Sequence, residues 1–330
     1  MLPHTEVAFW TNPLTTGERT IIYYSLVVAG IALFAMFVRI WTSVSEIGSR
    51  YRPAIFASLG VTGVAFLSYV VLVLKFDLGY TQVGGNATGA GSMWMPNKDA
   101  IWSWAPRYMD WSVTVPLLTV ELIAVSALVG AVATRIRAIG MASAFLMIFT
   151  GYLGGVVIGN GETLPALWTW GIISALFMVV LYVVFIYVMK ASTAQMSAEA
   201  ARTMRLAVIL QLAVFFAYPI VFGFQGYSGK DGGWTVFAQV TLSFADIAAK
   251  VGFGSLIHKL AKLRTAEDIA AGEETHPESV WMSNSKKADA VLPPLKDGVS
   301  SADREGFGAE RLLVTDVPVA APNSGKTRRA

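Results

Sequence analysis

The sequence predicts an all-α membrane protein: a bundle of seven transmembrane helices, N-terminus outside and C-terminus cytoplasmic. Three observations carry this. Only 14% of the 330 residues are charged, against roughly 25% in soluble domains, while 55% are hydrophobic and mean hydropathy is +0.56. Seven stretches approach the roughly 20 apolar residues that a span requires. Basic residues gather in alternate connections, which sets the orientation.

The elements follow in order. Residues 1–20 are polar with a few aromatics. They lack the basic stretch and short apolar core of a cleaved signal peptide, so an extracellular N-terminal segment is expected. Spans A to G are expected near residues 21–44, 55–76, 100–129, 139–158, 164–189, 206–224 and 234–260; the third has polar interruptions. Residues 21–262 thus form the seven-helix domain. Among the connections, only that between B and C is long. It contains GGNATGAGS, suited to a hairpin, without the lysine of a phosphate-binding loop. Arg39, Arg50 and Arg52 flank the A–B connection, Arg135 and Arg137 C–D, and Lys190, Arg202 and Arg205 E–F. On the opposite side Lys75, Lys98 and Lys230 are offset by Asp77, Asp99 and Asp231. Residues 263–330 turn rich in Ala, Ser, Asp, Lys and Pro. A mostly disordered cytoplasmic tail is expected there, with a short helix near residues 266–271. It shows no heptads of a coiled-coil signalling module.

Composition excludes several functions. Without cysteine there is no disulfide, thiolate metal site or cysteine nucleophile. His4, His258 and His276 have no ligand spacing, so no metal is expected. A net charge of +3 suits loops better than nucleic acid. No internal repeat marks an inverted-repeat transporter.

What remains unexplained is charge inside the spans. A charge at a helix centre costs roughly 2.5–3.5 kcal/mol on insertion scales, so it should face inward and be paired. In FADIAAKVGFG of span G, Asp246 and Lys250 are four apart and share a face. A structural ion pair would explain them. So would a covalent cofactor, because a lysine amine condenses with a carbonyl to a Schiff base. Lys250 alone is deep; Lys75, Lys190, Lys259 and Lys262 lie near span ends, where snorkelling accounts for them. Span C carries Arg107, Asp110, Thr114 and Glu121 near one face. Glu121 stands about 16 Å beyond Asp110 at 1.5 Å per residue. Snorkelling at the span ends is the alternative for Arg107 and Glu121.

RYMDWSVTVPLLTVE in span C, FFAYPIVFG in F and DIAAKVGFG in G resemble the microbial (type 1) rhodopsins over about residues 21–262. The resemblance implies all-trans retinal bound to Lys250 as a protonated Schiff base. The Asp110, Thr114, Glu121 triplet is similar to that of proteorhodopsin-like outward proton pumps; chloride and sodium pumps carry other residues there. Asp110 and Asp246 would be the paired counterion, with Arg107 offsetting the surplus negative charge. Asp110 would accept the proton, Thr114 would hydrogen-bond its carboxylate or orient the transfer, and Glu121 would return a proton from the cytoplasmic side, with Ser58 as its partner. Trp111, Phe215, Tyr218 and Phe222 would surround the polyene, Tyr218 also reaching Asp246. Pro219 would kink span F, and Leu118 sits where relatives use Leu for green absorption.

The pattern departs from that family in places. Ser68 stands where a histidine usually bonds the counterion, Phe215 and Phe222 replace tryptophans, and the start of span G lacks a release-group glutamate. Gly171 falls near a window for an antenna carotenoid, but Trp170 would close it, so retinal without a carotenoid antenna is expected. The resemblance further implies a multi-pass protein of a prokaryotic cell membrane, with lipid and protons as partners and a homo-oligomer, trimer or pentamer. The competing function is a slow photosensor acting through its tail or a signalling partner.

Overall fold

The structure, a computed structural model, describes residues 8–85, 91–225 and 231–272. Seven helices form the bundle: α1 Thr16–Thr42, α2 Arg52–Leu78, α3 Pro106–Ala124, α4 Gly130–Tyr152, α5 Leu164–Thr193, α6 Ala198–Gln225 and α7 Gly232–Ala270. Consecutive helices pack together, and α7 returns against α1 to close the ring.

Helices overrun the predicted spans because hydropathy sees only their apolar middles. The polar ends are helical too, since capping and proline start them. Before α1, Thr15 Oγ1 accepts from Glu18 N at 3.2 Å while Glu18 Oε2 accepts from Thr15 N at 2.7 Å, a reciprocal capping box. Proline occupies the first turns of α2, α3 and α5, where no N–H is needed. Arg135 and Arg137 therefore lie inside α4, and Arg202 and Arg205 inside α6, not in connections. Span C is the exception and is shorter than expected. Residues 100–103 form a separate 3₁₀ turn, and Pro106 opens α3.

Among the described residues, six helices are long and apolar enough to cross a membrane; α3, with its inward charges, is the seventh member. Along α5, Ile172, Leu176, Val179 and Val183 are exposed, while Leu181, Val184, Phe185 and Val188 are buried. A helix apolar all round suits lipid on one side and protein on the other.

One end of the bundle adds a small sheet to the all-α plan. Strands β1 (Leu14–Thr15), β2 (Tyr80–Val83) and β3 (Met93–Pro96) pair antiparallel in the order β1-β3-β2. β2 and β3 are the arms of the expected hairpin; residues 86–90 lie outside the described residues. We call this the sheet end and the opposite one the basic end. At the basic end α7 continues to Ala270, eight residues past the expected end of the seven-helix domain at Lys262. Packing explains this. Gly48 N donates to Thr265 Oγ1 at 3.0 Å, Tyr51 Oη to Asp268 Oδ2 at 2.8 Å, and Ser197 N to Glu267 Oε1 at 2.9 Å. The short helix expected near residues 266–271 is the last turns of α7. The rest of the expected tail, residues 273–330, lies outside the described residues, as do His4 and Lys230.

Removing the first cap gives a simple stability test. Thr15→Ala should cost about 1 kcal/mol. A circular-dichroism melt should fall by about 2–4 °C; an unchanged midpoint would mean that α1 starts without this cap.

Candidate functional site

Lys250 lies in a π-helical turn, Ile247–Gly252, within α7. A wider turn of this kind displaces one residue from the regular helical register and is frequent at functional sites. Its Nζ donates to Asp110 Oδ2 of α3 at 2.7 Å and to Asp246 Oδ1 at 3.1 Å. All three side chains are buried. Arg107 is fully buried as well, so the snorkelling alternative fails for it. Its Nη1 donates to Tyr69 Oη at 2.9 Å and to Asp246 Oδ2 at 3.4 Å; its Nη2 donates to Gln239 Oε1 at 2.8 Å and Ser243 Oγ at 3.2 Å. Two cations thus face two carboxylates, which offsets the desolvation that each charge alone would suffer.

The two carboxylates differ in what holds them. Asp246 is saturated. Its Oδ1 accepts from Trp111 Nε1 at 3.0 Å and Tyr218 Oη at 2.9 Å besides Lys250, and its Oδ2 accepts from Tyr69 Oη at 2.8 Å besides Arg107. Asp110 has Lys250 on Oδ2 and no partner on Oδ1 among the described residues.

Trp111 and Tyr218 also wall an apolar cavity with Phe215, Pro219, Phe222 and Gly171. The Asp246 oxygen that these two residues hold is the one that Lys250 holds, so the amine lies one atom from the cavity wall. Leu118 is buried but does not line this space. Gly171 is needed for close packing: a Cβ there would come within 2.6 Å of the Phe222 ring. Trp170 packs instead against Gly154, where a Cβ would meet its own Cβ at 2.5 Å.

Thr114 stands beside the Asp110 carboxylate as expected, and its hydroxyl is also within 3.0 Å of the Asp110 main-chain oxygen. Ser68 donates to Pro106 O at 3.4 Å and does not serve the counterion. Ser58 stands beside Glu121 as the expected hydrogen-bond partner of its carboxyl. Glu121 itself is buried and not at a snorkelling end.

Sequence reasoning missed Tyr69, Gln239 and Ser243. Tyr69 joins both charged halves of the site, and the other two hold Arg107. Thr235, Gln239, Ser243, Asp246 and Lys250 recur every three or four residues along α7, a polar face that was there to be read.

What the bundle and its buried lysine jointly define is a microbial (type 1) rhodopsin, a light-driven transporter class and not an enzyme. The chain belongs to the family of bacteriorhodopsin-like proteins, which matches residues 16–263. It is 29% identical to archaerhodopsin-3 of Halorubrum sodomense over 230 residues, covering 69% of this chain and 78% of that protein. It is 30% identical to bacteriorhodopsin of Halobacterium salinarum over 202 residues, covering 60% and 67%. Among solved structures it is similar to xanthorhodopsin, described as a light-driven ion pump with dual chromophore. That match has a TM-score of 0.67 at 26% identity, covering 78% of this chain and 98% of that one. A thermophilic rhodopsin shares the fold at a TM-score of 0.69 and 21% identity, covering 78% and 98%. With six helices of membrane-crossing length and such relatives, this is a multi-pass membrane protein.

The family implies a retinal chromophore. The residues present suit one: a buried amine able to condense with an aldehyde, beside an aromatic cavity able to house an apolar polyene.

Proposed function

We propose that the protein is a light-driven outward proton pump, with Lys250 carrying the chromophore, Asp110 accepting the proton and Glu121 returning one. The observation that carries this reading is the asymmetry of the carboxylates. An acceptor needs a free lone pair next to the donor. Asp110 has an unpartnered buried oxygen and lies 2.7 Å from Lys250 Nζ, whereas Asp246 is committed to five donors.

All-trans retinal, linked through its aldehyde carbon to Lys250 Nζ as a Schiff base, would supply light absorption and an isomerisation that changes how the nitrogen holds its proton. The chain does the rest. Asp110 takes the proton from Nζ. Asp246, fixed by Tyr69, Trp111 and Tyr218, keeps the site's opposing charge in place, and Arg107 compensates it from the sheet end. Glu121 lies about 16 Å from Asp110 along α3, toward the basic end. Being buried in an apolar stretch, it is suited to hold a proton and give it back to Nζ. The basic end is cytoplasmic if the excess of Lys and Arg there obeys the usual rule, so protons leave the cell.

The test is light on an unbuffered suspension of cells expressing the chain with retinal. Acidification abolished by a protonophore is expected. Alkalinisation would reverse the direction. Coloured cells without a pH change would transfer the reading to the slow photosensor. Replacing the donor should separate the steps: Glu121→Gln should leave proton loss from Nζ intact and slow its return by roughly 10- to 100-fold. Flash photolysis measures both. Equal return times in both proteins would remove Glu121 from the role.

A further inference from the structure

Ala8, Phe9, Trp10, Asn12 and Leu14 precede the first helix, yet all are buried. Starting α1 does not require this, since the capping box at Thr15 already does so. The run packs against the sheet end of the site. The Phe9 and Trp10 rings lie against Trp104 with centroids 5.4 and 6.2 Å away, both within the range of aromatic packing. Trp104 is buried and is one wall of the cavity beside Lys250. It stands outside any helix, between the 3₁₀ turn of residues 100–103 and α3. Its φ of −125° and ψ of −52° lie off the helical values. A side chain on such a junction takes its position from what packs on it.

The segment is itself tied down on several sides. Asn12 Nδ2 donates to Asp231 O at 3.2 Å and to Thr235 Oγ1 at 3.1 Å, at the start of α7. Thr235 Oγ1 donates to Phe9 O at 2.7 Å, and Tyr80 Oη to Trp10 O at 3.4 Å. The edge of the Trp10 ring lies on Gly161, ahead of α5, where a Cβ would come within 2.8 Å of it. Thr235 is also the outermost member of the polar face of α7 that runs through Gln239 and Ser243 to Asp246 and Lys250. The segment thus covers the mouth of that face. Uncovered, a polar face of this kind would take up water.

We propose that residues 8–12 are part of the chromophore site. Phe9 and Trp10 are positioning residues that hold Trp104 against the cavity. Asn12 latches them to α7, so that the sheet end stays closed to water and small solutes beside the Lys250 nitrogen. This rests on Lys250 carrying the chromophore.

Hydroxylamine is the probe of access. It takes the chromophore's aldehyde carbon as an oxime and frees the Lys250 amine, so the visible band bleaches in the dark as the reagent reaches the nitrogen. Asn12→Ala removes both bonds of the latch and leaves the rings. Trp10→Ala removes one ring and leaves the latch. Each should bleach about tenfold faster than the parent protein, the rise in open population expected when two hydrogen bonds or a ring contact are lost. Thr15→Ala is the control. It weakens the neighbouring cap, which holds neither ring, and should bleach at the parent rate. Circular dichroism checks folding; if Trp10→Ala does not fold, Asn12→Ala carries the test. Bleaching at the parent rate in the folded variants overturns the proposal. So does equal acceleration in Thr15→Ala, which would make the segment a matter of stability alone. The chromophore assignment fails separately. A parent protein that forms no visible band with retinal, or a band that survives Lys250→Arg, removes the chromophore from Lys250 and the proposal with it.

Discussion

Lys250→Arg is expected to give a folded, colourless protein with no light-driven pH change. Arginine keeps a cation between Asp110 and Asp246, so the buried charges stay balanced. Its guanidinium does not deprotonate in proteins and offers no amine for condensation with an aldehyde. The substitution therefore separates the two explanations of the Asp246–Lys250 pair. If the pair served packing alone, arginine would do nearly as well and no property would depend on the amine. Lys250→Ala is less informative. It leaves two buried carboxylates with only Arg107, and breaking a buried pair costs about 3–5 kcal/mol. The measurements are the visible spectrum after adding retinal, with circular dichroism as the control for folding. A visible band from folded Lys250→Arg protein would show that another group holds the chromophore.

The parts of this site legible in the sequence share one property: they are expensive where they stand. Asp246, Lys250, Asp110 and Glu121 interrupt apolar runs, so each demanded an explanation before any fold was known. Tyr69 did not, because a tyrosine in AFLSYVVLVL costs little and reads as one more aromatic. Attention went to its neighbour Ser68, yet one residue along a helix is a turn of about 100°, enough to put Ser68 on the Pro106 carbonyl and Tyr69 on Asp246. The hydroxyl of Thr114 has two acceptors in reach, the Asp110 carboxylate and a main-chain oxygen. A threonine inside a helix has its own main-chain acceptor four residues back, and sequence cannot say which acceptor wins. Helix ends were also hidden. Arg135, Arg137, Arg202 and Arg205 look like loop residues by hydropathy, but they continue helices whose backbone bonds are already running. The hairpin arms were visible through their glycine-rich link, whereas their pairing with residues 14 and 15 is a long-range contact with no local signal.

Asp110→Asn should abolish light-driven proton transport, a fall of roughly 100-fold or more, while the protein still folds and binds retinal. The amide is nearly the same shape and still offers an oxygen to Lys250 Nζ, but it cannot take up a proton at the site's potential. The opposing charge would then rest on Asp246 alone, already shared with Arg107. The protonated nitrogen would lose its nearer anion, so the visible band should shift from that of the parent protein. Asp246→Asn is the control that gives this meaning. It strips the acceptor charge facing Tyr69, Trp111, Tyr218 and Arg107 at once, so it should loosen the aromatic wall and lower stability more than Asp110→Asn does. Transport and melting should therefore separate: Asp110→Asn loses the first and largely keeps the second, whereas Asp246→Asn loses stability. Flash photolysis of Asp110→Asn should also show no proton loss from Nζ on the time scale of the parent protein. A deprotonated state forming at the normal rate in that variant would mean that another group accepts the proton, and the free oxygen of Asp110 would then have a different purpose.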